Sequence, residues 1–400
     1  MAEWKKIRLG DVCRTNADTY SPKEKWDFVN YLDTGNITNS TIDSIQFIEL
    51  KNMKLPSRAK RKVKTDSIIY STVRPNQRHF GIIKSQPENF LVSTGFVVID
   101  VDTNALNADF LYYLLTQNTL VDALQAIAEQ STSAYPAIKP SDIENLEIGI
   151  PDLATQKKIS DILSSLDRKI AKNAEINKNL LEQALAIYKE WFCDYALSDG
   201  TLPENWKITT IDAISSLVTR GIAPKYDDSS DQIVLNQKCI RDHTIDISLA
   251  RRHLPKKIND KWISKGDLLI NSTGTGTLGR VAQVWFEANN MTVDSHLTIV
   301  RPKDSILQSY IGFWGLSHES EIEAQHTGST GQTELPRDRV KAMELPLPDE
   351  DILSKFNELV IPMTSTVISN QEENARLLQL RDALLPKLMS GELDISGINI

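Results

Sequence analysis

Two stretches of the chain concentrate positive charge, the chemistry that binds nucleic acid. Residues 51–84 hold ten Lys and Arg side chains against one aspartate, a net charge of +9 in 34 residues. Residues 238–261 hold seven such side chains against three aspartates, a net charge of +4. Lys and Arg neutralise backbone phosphates and release counterions, which drives binding to DNA. A solvated basic surface is the alternative for either run alone, but two runs favour contact with one polyanion.

The residues predicted to bind DNA are cations of these runs and polar side chains of loops that follow predicted strands. Arg binds guanine bidentately, and Asn and Gln bind adenine. In the first half of the chain they are Arg58, Lys60, Arg61, Lys62, Lys64, Ser71, Thr72, Arg74, Asn76, Gln77, Arg78, Ser131, Ser133 and Tyr135. In the second half they are Lys238, Arg251, Arg252, Lys256, Lys257, Asn271, Ser272, Thr273, Arg280, Ser329, Thr330 and Gln332. Because the polar residues differ, the halves would read different sequences; ordinary hydrophilic turns remain the alternative for each loop.

Motifs for catalysis or cofactor binding are missing from the sequence. Residues 274–279 match GxGxxG, but the β-branched stretch after them predicts a strand where a dinucleotide site needs a helix. The sequence has no Walker A loop and no Asp/Asn-Pro-Pro-Tyr motif, and its six histidines show no metal-ligand spacing. His296 lies in a strand pattern, which predicts a packing role. We therefore predict a non-catalytic chain with no metal and no cofactor of its own.

Length and composition limit the classes of protein to which the chain can belong. The 400 residues suggest two or three domains, and 40% apolar with 24% charged residues is an ordinary globular balance. The net charge of −8 excludes a uniformly basic nucleic-acid binder. Three widely spaced cysteines fit neither a disulfide framework nor a zinc knuckle. With no run of apolar residues long enough to span a bilayer and no apolar leader pattern, we expect a cytoplasmic protein without membrane contact.

The sequence repeats itself at an offset of about 200 residues. Residues 145–152 align with 342–349, and Trp4 aligns with Trp206. The repeat predicts one unit used twice, as tandem domains. Short apolar runs separated by Gly, Pro, Asn and Asp predict strands in each copy, and a helical run at 110–115 lies among them. This mixture predicts an α+β domain.

Each repeat ends in a long predicted helix. Apolar residues at spacings of three and four predict a helix over residues 155–192, close to a heptad pattern. The second copy keeps this register, from Phe356 through Leu359 to Leu388, although Pro362 predicts a break or kink near its start. Two asparagines in each copy are predicted on the seam between the helices: Asn173, Asn177, Asn370 and Asn374. A buried Asn would fix the helix register; solvent-facing asparagines are the alternative.

The predicted architecture is α+β, with two similar globular domains joined by two long antiparallel helices as a coiled coil, related by an internal pseudo-two-fold. Its segments are a globular domain over 1–150, a helix over 151–196, a second globular domain over 197–347, and a helix with a C-terminal tail over 348–400. The antiparallel sense rests on symmetry alone.

The chain resembles the specificity subunits of type I restriction–modification systems over essentially its whole length. The resemblance rests on the opening segment 4–12, echoed at 206–212, on the helix entry at 148–163, and on the ending at 384–395. It implies two target-recognition domains that each read half of a bipartite double-stranded DNA site. It also implies helices that set the spacer and dock two methyltransferase (M) subunits, which methylate adenine with S-adenosylmethionine, and restriction (R) subunits that use ATP and Mg.

Two other functions remain open from the residues. A coiled-coil scaffold without a DNA role predicts no salt-sensitive DNA binding. A DNA methyltransferase or nuclease with unrecognised motifs predicts catalysis by the isolated chain.

Overall fold

The chain forms two compact units in a computed structural model that describes residues 4–131, 135–254, 258–328, 333–393, 395 and 397. Unit 1 comprises Met1–Ile170 and Ala375–Ile400, and unit 2 comprises Ala171–Asn374. Each unit therefore contains one globular part and a section of both long helices. The predicted α+β class with two long helices is confirmed.

Unit 1 contains short strands and short helices before the first long helix. The strands are β1 (Lys5–Arg8), β2 (Cys13–Thr15), β3 (Phe28–Leu32), β4 (Ile37–Thr38), β5 (Thr41–Ile42), β6 (Gln46–Glu49), β7 (Ala59–Lys62), β8 (Ile68–Ser71), β9 (Phe80–Ile82), β10 (Phe90–Ser93), β11 (Phe96–Val101) and β12 (Glu147–Ile150). The helices are α1 (Ala108–Leu115), α2 (Asn118–Glu129), α3 (Pro140–Glu144) and α4 (Leu153–Phe192).

Two four-stranded sheets organise the globular part of unit 1. One has the order β2-β11-β8-β9 and is antiparallel. The other has the order β6-β3-β10-β7 and includes a parallel pair, β3 with β10. Helix α1 begins after Asn107, whose side chain accepts a hydrogen bond from the Phe110 amide, and this cap stabilises the first turn. Phe110 and Leu111 are fully buried and form the core together with Val97 and Ile99 of β11.

Sections of both long helices pack on this core. Ile159 and Leu163 of α4 and Leu388 near the chain end belong to the same buried cluster. Burial raises the pKa of Tyr113, and its protonated hydroxyl donates to Asp167 at 2.6 Å. Arg381 donates to the other oxygen of Asp167 at 2.9 Å. A polar contact therefore joins α1 to both long helices inside unit 1.

Unit 2 repeats this plan. Its strands are β13 (Lys207–Thr210), β14 (Ser215–Arg220), β15 (Ile233–Leu235), β16 (Ile240–Arg241), β17 (Thr244–Ile245), β18 (Arg251–Arg252), β19 (Leu268–Asn271), β20 (Val281–Gln283), β21 (Met291–Val293), β22 (Leu297–Pro302) and β23 (Glu344–Leu347). Its helices are α5 (Ile211–Ile214), α6 (Gln308–Ser317), α7 (Glu319–Ala324), α8 (Arg337–Lys341) and α9 (Glu350–Met389). The sheet order β14-β22-β19-β20 corresponds to β2-β11-β8-β9, and the parallel pair β15 with β21 corresponds to β3 with β10.

An aromatic cluster forms the centre of unit 2. Phe192 of α4 lies 5.0 Å, between ring centroids, from both Tyr310 of α6 and Phe356 of α9. Tyr188 and Phe313 complete the cluster around Phe356. All five side chains are almost completely buried, so this cluster joins both long helices to the globular part of the unit.

The four seam asparagines lie at the helix–helix contact within unit 2. Asn173 donates to Glu373 at 2.7 Å and to Asn374 at 2.9 Å. Asn370 donates to Asn177 at 2.8 Å. The partner number falls as the α4 number rises, so the two helices run antiparallel in this unit. Each amide finds a polar partner, which limits the cost of burying it.

Two details of the predicted helices are wrong. Helix α9 continues through Pro362 without a break. Proline leaves the carbonyl four residues earlier unpaired, but Glu358 and Pro362 both lie on the exposed side, while buried Phe356, Val360 and Val367 anchor the helix around them. Leu359 is 43% exposed and does not lie on the seam. None of the helices in the described ranges combines the length and apolar character needed to cross a membrane.

Candidate nucleic-acid interface

Backbone hydrogen bonds join three segments of unit 1 into one surface corner. The Thr72 amide donates to the carbonyl of Gly95 at 2.8 Å, and the Ile138 amide donates to the carbonyl of Thr72 at 2.9 Å. Val73 forms a β-bridge with Ala137. We call this surface corner 1, comprising residues 71–79, 93–95 and 135–138 together with Arg58, whose carbonyl accepts from Thr94 at 2.8 Å. The polar loops predicted from sequence are thus neighbours.

Five predicted DNA-binding side chains of corner 1 are exposed: Arg58, Arg74, Asn76, Gln77 and Tyr135. Arg74 has a left-handed backbone (φ 49°) and places its guanidinium over the Tyr135 ring, 5.4 Å from the centroid. A proline-led 3-10 turn, Pro75–Gln77, follows it. The arrangement presents a planar cation, an aromatic ring and two amides on one surface, a set suited to base edges and phosphates.

Other predicted residues in or beside corner 1 form hydrogen bonds within the fold. The side chain of Ser71 is buried and bonds to the backbone of Val73, so it positions the loop and cannot face a ligand. Thr72 donates to the Gly95 carbonyl, and Ser131 accepts from the Ala137 amide at 3.3 Å. The guanidinium of Arg78 donates to Asn118 and to the Thr116 carbonyl. The prediction of DNA contact is corrected for Ser71, because strand β8 turns its last side chain inward.

In the basic run of unit 1, some cations are exposed and others pack against neighbouring side chains. Arg58, Lys60 and Lys64 are exposed, and Lys64 lies 3.7 Å from Asp100. Lys62 donates to Glu24 and lies over the Trp26 ring, and the Glu24 carboxylate raises the pKa of Lys62. Arg61 is half-buried, and burial lowers the pKa of its guanidinium. Lys62 therefore stabilises the sheet edge more than it contributes a free charge.

Unit 2 builds the same corner from the equivalent segments. The Ser272 amide donates to the His296 carbonyl at 2.8 Å, and the Leu335 amide donates to the Ser272 carbonyl at 2.8 Å. Thr273 forms a β-bridge with Glu334. We call this surface corner 2, comprising residues 271–280, 294–296, 327–328 and 333–335 together with Gln237. The predicted site residues Ser133, Lys256, Lys257, Ser329, Thr330 and Gln332 lie outside the described residues.

Corner 2 orders its side chains around Thr273. The Thr273 hydroxyl contacts Nδ1 of His296 at 2.7 Å and donates to Oε1 of Gln237 at 3.3 Å. Asn271 and Ser272 are fully buried; Asn271 donates to the Gln237 carbonyl, and Ser272 bonds to Thr298. Predicted DNA contact is corrected for these two residues, since β19 ends with both of them inside the unit.

The glycine-rich loop of corner 2 is a turn between two strands. Gly274 and Gly276 have φ values of 103° and 72°, a region that glycine adopts without strain. Strand β20 follows directly, in place of the helix that a dinucleotide-binding loop requires. Arg280, at the end of this loop, is half-buried.

The second basic run also carries exposed cations. Lys238 is exposed, and Arg251 stacks on the Tyr226 ring at 3.4 Å from its centroid. Arg252 donates to the Ser230 carbonyl at 2.7 Å and lies 3.8 Å from Asp231. Among the described residues, no group of three or more His, Cys, Asp or Glu side chains is placed to hold a metal ion.

Sequence reasoning missed two polar residues of corner 2, Gln237 and His296. His296 was predicted to pack in a strand, which is wrong: its side chain is exposed in the turn between β21 and β22. The available signal was its place directly before β22, because the repeat aligns it with Gly95, which directly precedes β11.

Comparisons with known proteins show similarity to type I restriction specificity subunits. Residues 1–182 match the family model described as the type I restriction modification DNA specificity domain. The chain is 26% identical over 463 aligned residues to the type I restriction enzyme HindI specificity subunit of Haemophilus influenzae, across 98% of this chain and 100% of that protein. It is 25% identical over 310 residues to the MjaIX specificity subunit of Methanocaldococcus jannaschii, across 73% and 70% of the two chains. The solved type I restriction-modification S subunit from M. genitalium has a similar fold, with a TM-score of 0.62 at 15% identity and 96% coverage of both chains.

Proposed function

We propose that the chain is a specificity subunit of a type I restriction–modification system and that corner 1 and corner 2 each read one half of a bipartite DNA site. In this proposal the chain is a non-catalytic DNA sequence-recognition subunit, with DNA and with methyltransferase and restriction subunits as its partners. Corner 1 carries exposed polar side chains together with the exposed cations Arg58 and Arg74, and corner 2 carries exposed polar side chains beside the half-buried Arg280.

One observation carries the proposal: the same backbone frame is built twice and bears different side chains. The amides of Thr72 and Ser272 donate to the residue directly before the neighbouring sheet strand, β11 in unit 1 and β22 in unit 2, at 2.8 Å in both units. Arg74 and Tyr135 are exposed on one frame, whereas Thr273 and His296 lie on the other. The same backbone arrangement with different side chains would allow the two units to recognise two different half-sites.

We also propose that α4 and α9 set the spacer between the half-sites and dock two M subunits. Each helix has 40 residues, a length of about 60 Å at ~1.5 Å per residue. Leu359 and Ile361 of α9 are 43% and 51% exposed in unit 2, and Leu378 and Leu380 are 38% and 48% exposed in unit 1. We propose that these exposed apolar side chains contribute to the surface that the M subunits cover. In this proposal S-adenosylmethionine binds to the M subunits, and ATP and Mg bind to the R subunits.

Mapping adenine methylation in cells that express this chain with its M subunit tests the proposed function. We expect methylation within a two-part motif separated by a spacer of fixed length, and no methyl incorporation by the purified chain alone. Methyl transfer by the isolated chain would make it an enzyme. Methylation without a two-part motif would contradict the two-reader model.

We expect Lys60→Ala to weaken DNA binding similarly for all sequences. Lys60 is exposed, so its charge is free to neutralise a phosphate, and the slope of log affinity against log salt should fall by up to about 0.9 for the lost contact. Lys62→Ala is the matched control, because Lys62 is already paired with Glu24 and should change the slope little. The measurement is a salt titration of duplex binding by the complex. Equal slopes for wild type and Lys60→Ala would show that the basic run does not contact the DNA.

A further inference from the structure

Corner 1 and corner 2 carry different residues, Gly95 and His296, at the position that directly precedes the β11 or β22 strand. Strand pairing sets the equivalence: Ser71 lies opposite Phe96 in unit 1, and Asn271 lies opposite Leu297 in unit 2. Gly95 is therefore the structural equivalent of His296. The backbone carbonyl of each accepts the amide hydrogen bond that closes its corner.

A planar nitrogen-rich group occupies this position in both units, although it comes from different parts of the chain. In unit 1 a Cβ added to Gly95 would overlap the guanidinium of Arg58 and lie 2.7 Å from Cγ2 of Thr34. Arg58 thus fills the volume that a side chain at residue 95 would take. In unit 2 the imidazole of His296 starts from that same backbone position. Both groups are exposed, and both have ring or guanidinium nitrogens that can form hydrogen bonds.

The imidazole of His296 is held in one orientation. Its Nδ1 contacts the hydroxyl of Thr273 at 2.7 Å, and Thr273 also donates to Gln237 at 3.3 Å. With Nδ1 engaged, the ring presents its Nε2 edge away from Thr273. An oriented, exposed ring nitrogen next to polar loops can contact a base edge at little entropic cost, because its rotamer is already restricted.

We propose that His296 is a specificity-determining residue of unit 2, which contacts a base edge of its half-site, and that Arg58 does the same at the equivalent position of unit 1. Thr273 and Gln237 act as positioning residues for the imidazole. This inference rests on the proposed function, since it assigns a base contact within a corner already taken to face DNA. It predicts that each residue governs one half-site and leaves the other unchanged.

The test uses the complex of this chain with its M subunit, selecting from a duplex library in which both half-sites are randomised. We expect His296→Ala to relax discrimination at one base-pair position of one half-site by about 5- to 150-fold, the range for loss of a specific base contact. Arg58→Ala should have the same effect on the other half-site. The unmutated half-site is the internal control for folding and binding in each variant.

A second variant separates base contact from structural support. His296→Gln keeps a hydrogen-bonding group at about the reach of Nε2, so it should retain or change a preference at that position, where His296→Ala loses it. Unchanged preferences at both half-sites in His296→Ala would overturn the proposal. A uniform loss of affinity for all sequences would also overturn it, because it would make His296 a backbone contact. If the wild-type complex selects no two-part motif, the proposed function fails instead.

Discussion

Replacing Phe356 with alanine should lower the free energy of unfolding of this protein by about 3–5 kcal/mol, the range for a large aromatic removed from a core. Phe356 is fully buried in unit 2. Its ring contacts Tyr188, Trp191 and Phe192 of α4 and Phe313 of α6. Truncation would leave a cavity where both long helices meet the globular part of the unit, and rigid aromatic neighbours could close it only in part.

Leu359→Ala provides the matched control on the same helix. Leu359 is 43% exposed, so its truncation removes much less buried apolar surface. We expect the free energy of unfolding to change by no more than about 1 kcal/mol. The measurement is chemical denaturation followed by far-ultraviolet circular dichroism and by tryptophan fluorescence. Equal destabilisation by the two substitutions would mean that the aromatic cluster does not carry the stability of unit 2.

Inserting four residues into each long helix should lengthen the preferred spacer of the DNA site by one or two base pairs. The proposed spacer role predicts this result, because four residues add ~6 Å and rotate the helix by ~40° beyond one turn. Duplex DNA rises ~3.4 Å per base pair and turns ~34°. Suitable insertion points lie between Ile170 and Ala171 and between Asn374 and Ala375, because both the Asp167–Arg381 contact and the Asn173–Asn374 contact then keep their own registers.

Both half-site sequences should stay unchanged in the paired insertion variant, and circular dichroism should show retained helix content. Insertion into α4 alone is the informative control, since the Asp167–Arg381 contact and the Asn173–Asn374 contact can then no longer both keep their register. A four-residue insertion at the exposed Gly200 turn should leave the spacer as it is. An active paired variant that still methylates at the original spacing would show that something other than the helices sets that distance.

The long helices illustrate how much of the fold is readable in the sequence. Apolar spacing over residues 155–192 predicted a helix that the structure extends to Leu153–Phe192. The periodic pattern spans many turns, so local errors average out. Single positions were less predictable. From the sequence alone, Pro362 predicts a break in α9. The helix continues because the tertiary packing of Phe356 and Val367 outweighs the local cost of the proline.

The candidate site shows which features could not be predicted from the sequence. The sequence located the polar loops and the basic runs, because composition and strand endings are local features. It did not separate the exposed Lys60 from Lys62, whose partner Glu24 lies 38 residues away in the chain. It also included Ser71 and Asn271, which the ends of β8 and β19 turn into the core.

The amino-acid sequence by itself determined the repeat, the α+β character, the two long helices and the kinship with DNA specificity subunits, because each depends on patterns that recur along the chain. Only the tertiary structure decided which side chains meet at the corners. The contact of Thr273 with His296 joins residues 23 positions apart in the chain. Arg58 likewise fills the space above Gly95, a residue far from it in sequence. Such contacts depend on sheet register and turn geometry, which packing of the whole unit selects and no local pattern encodes.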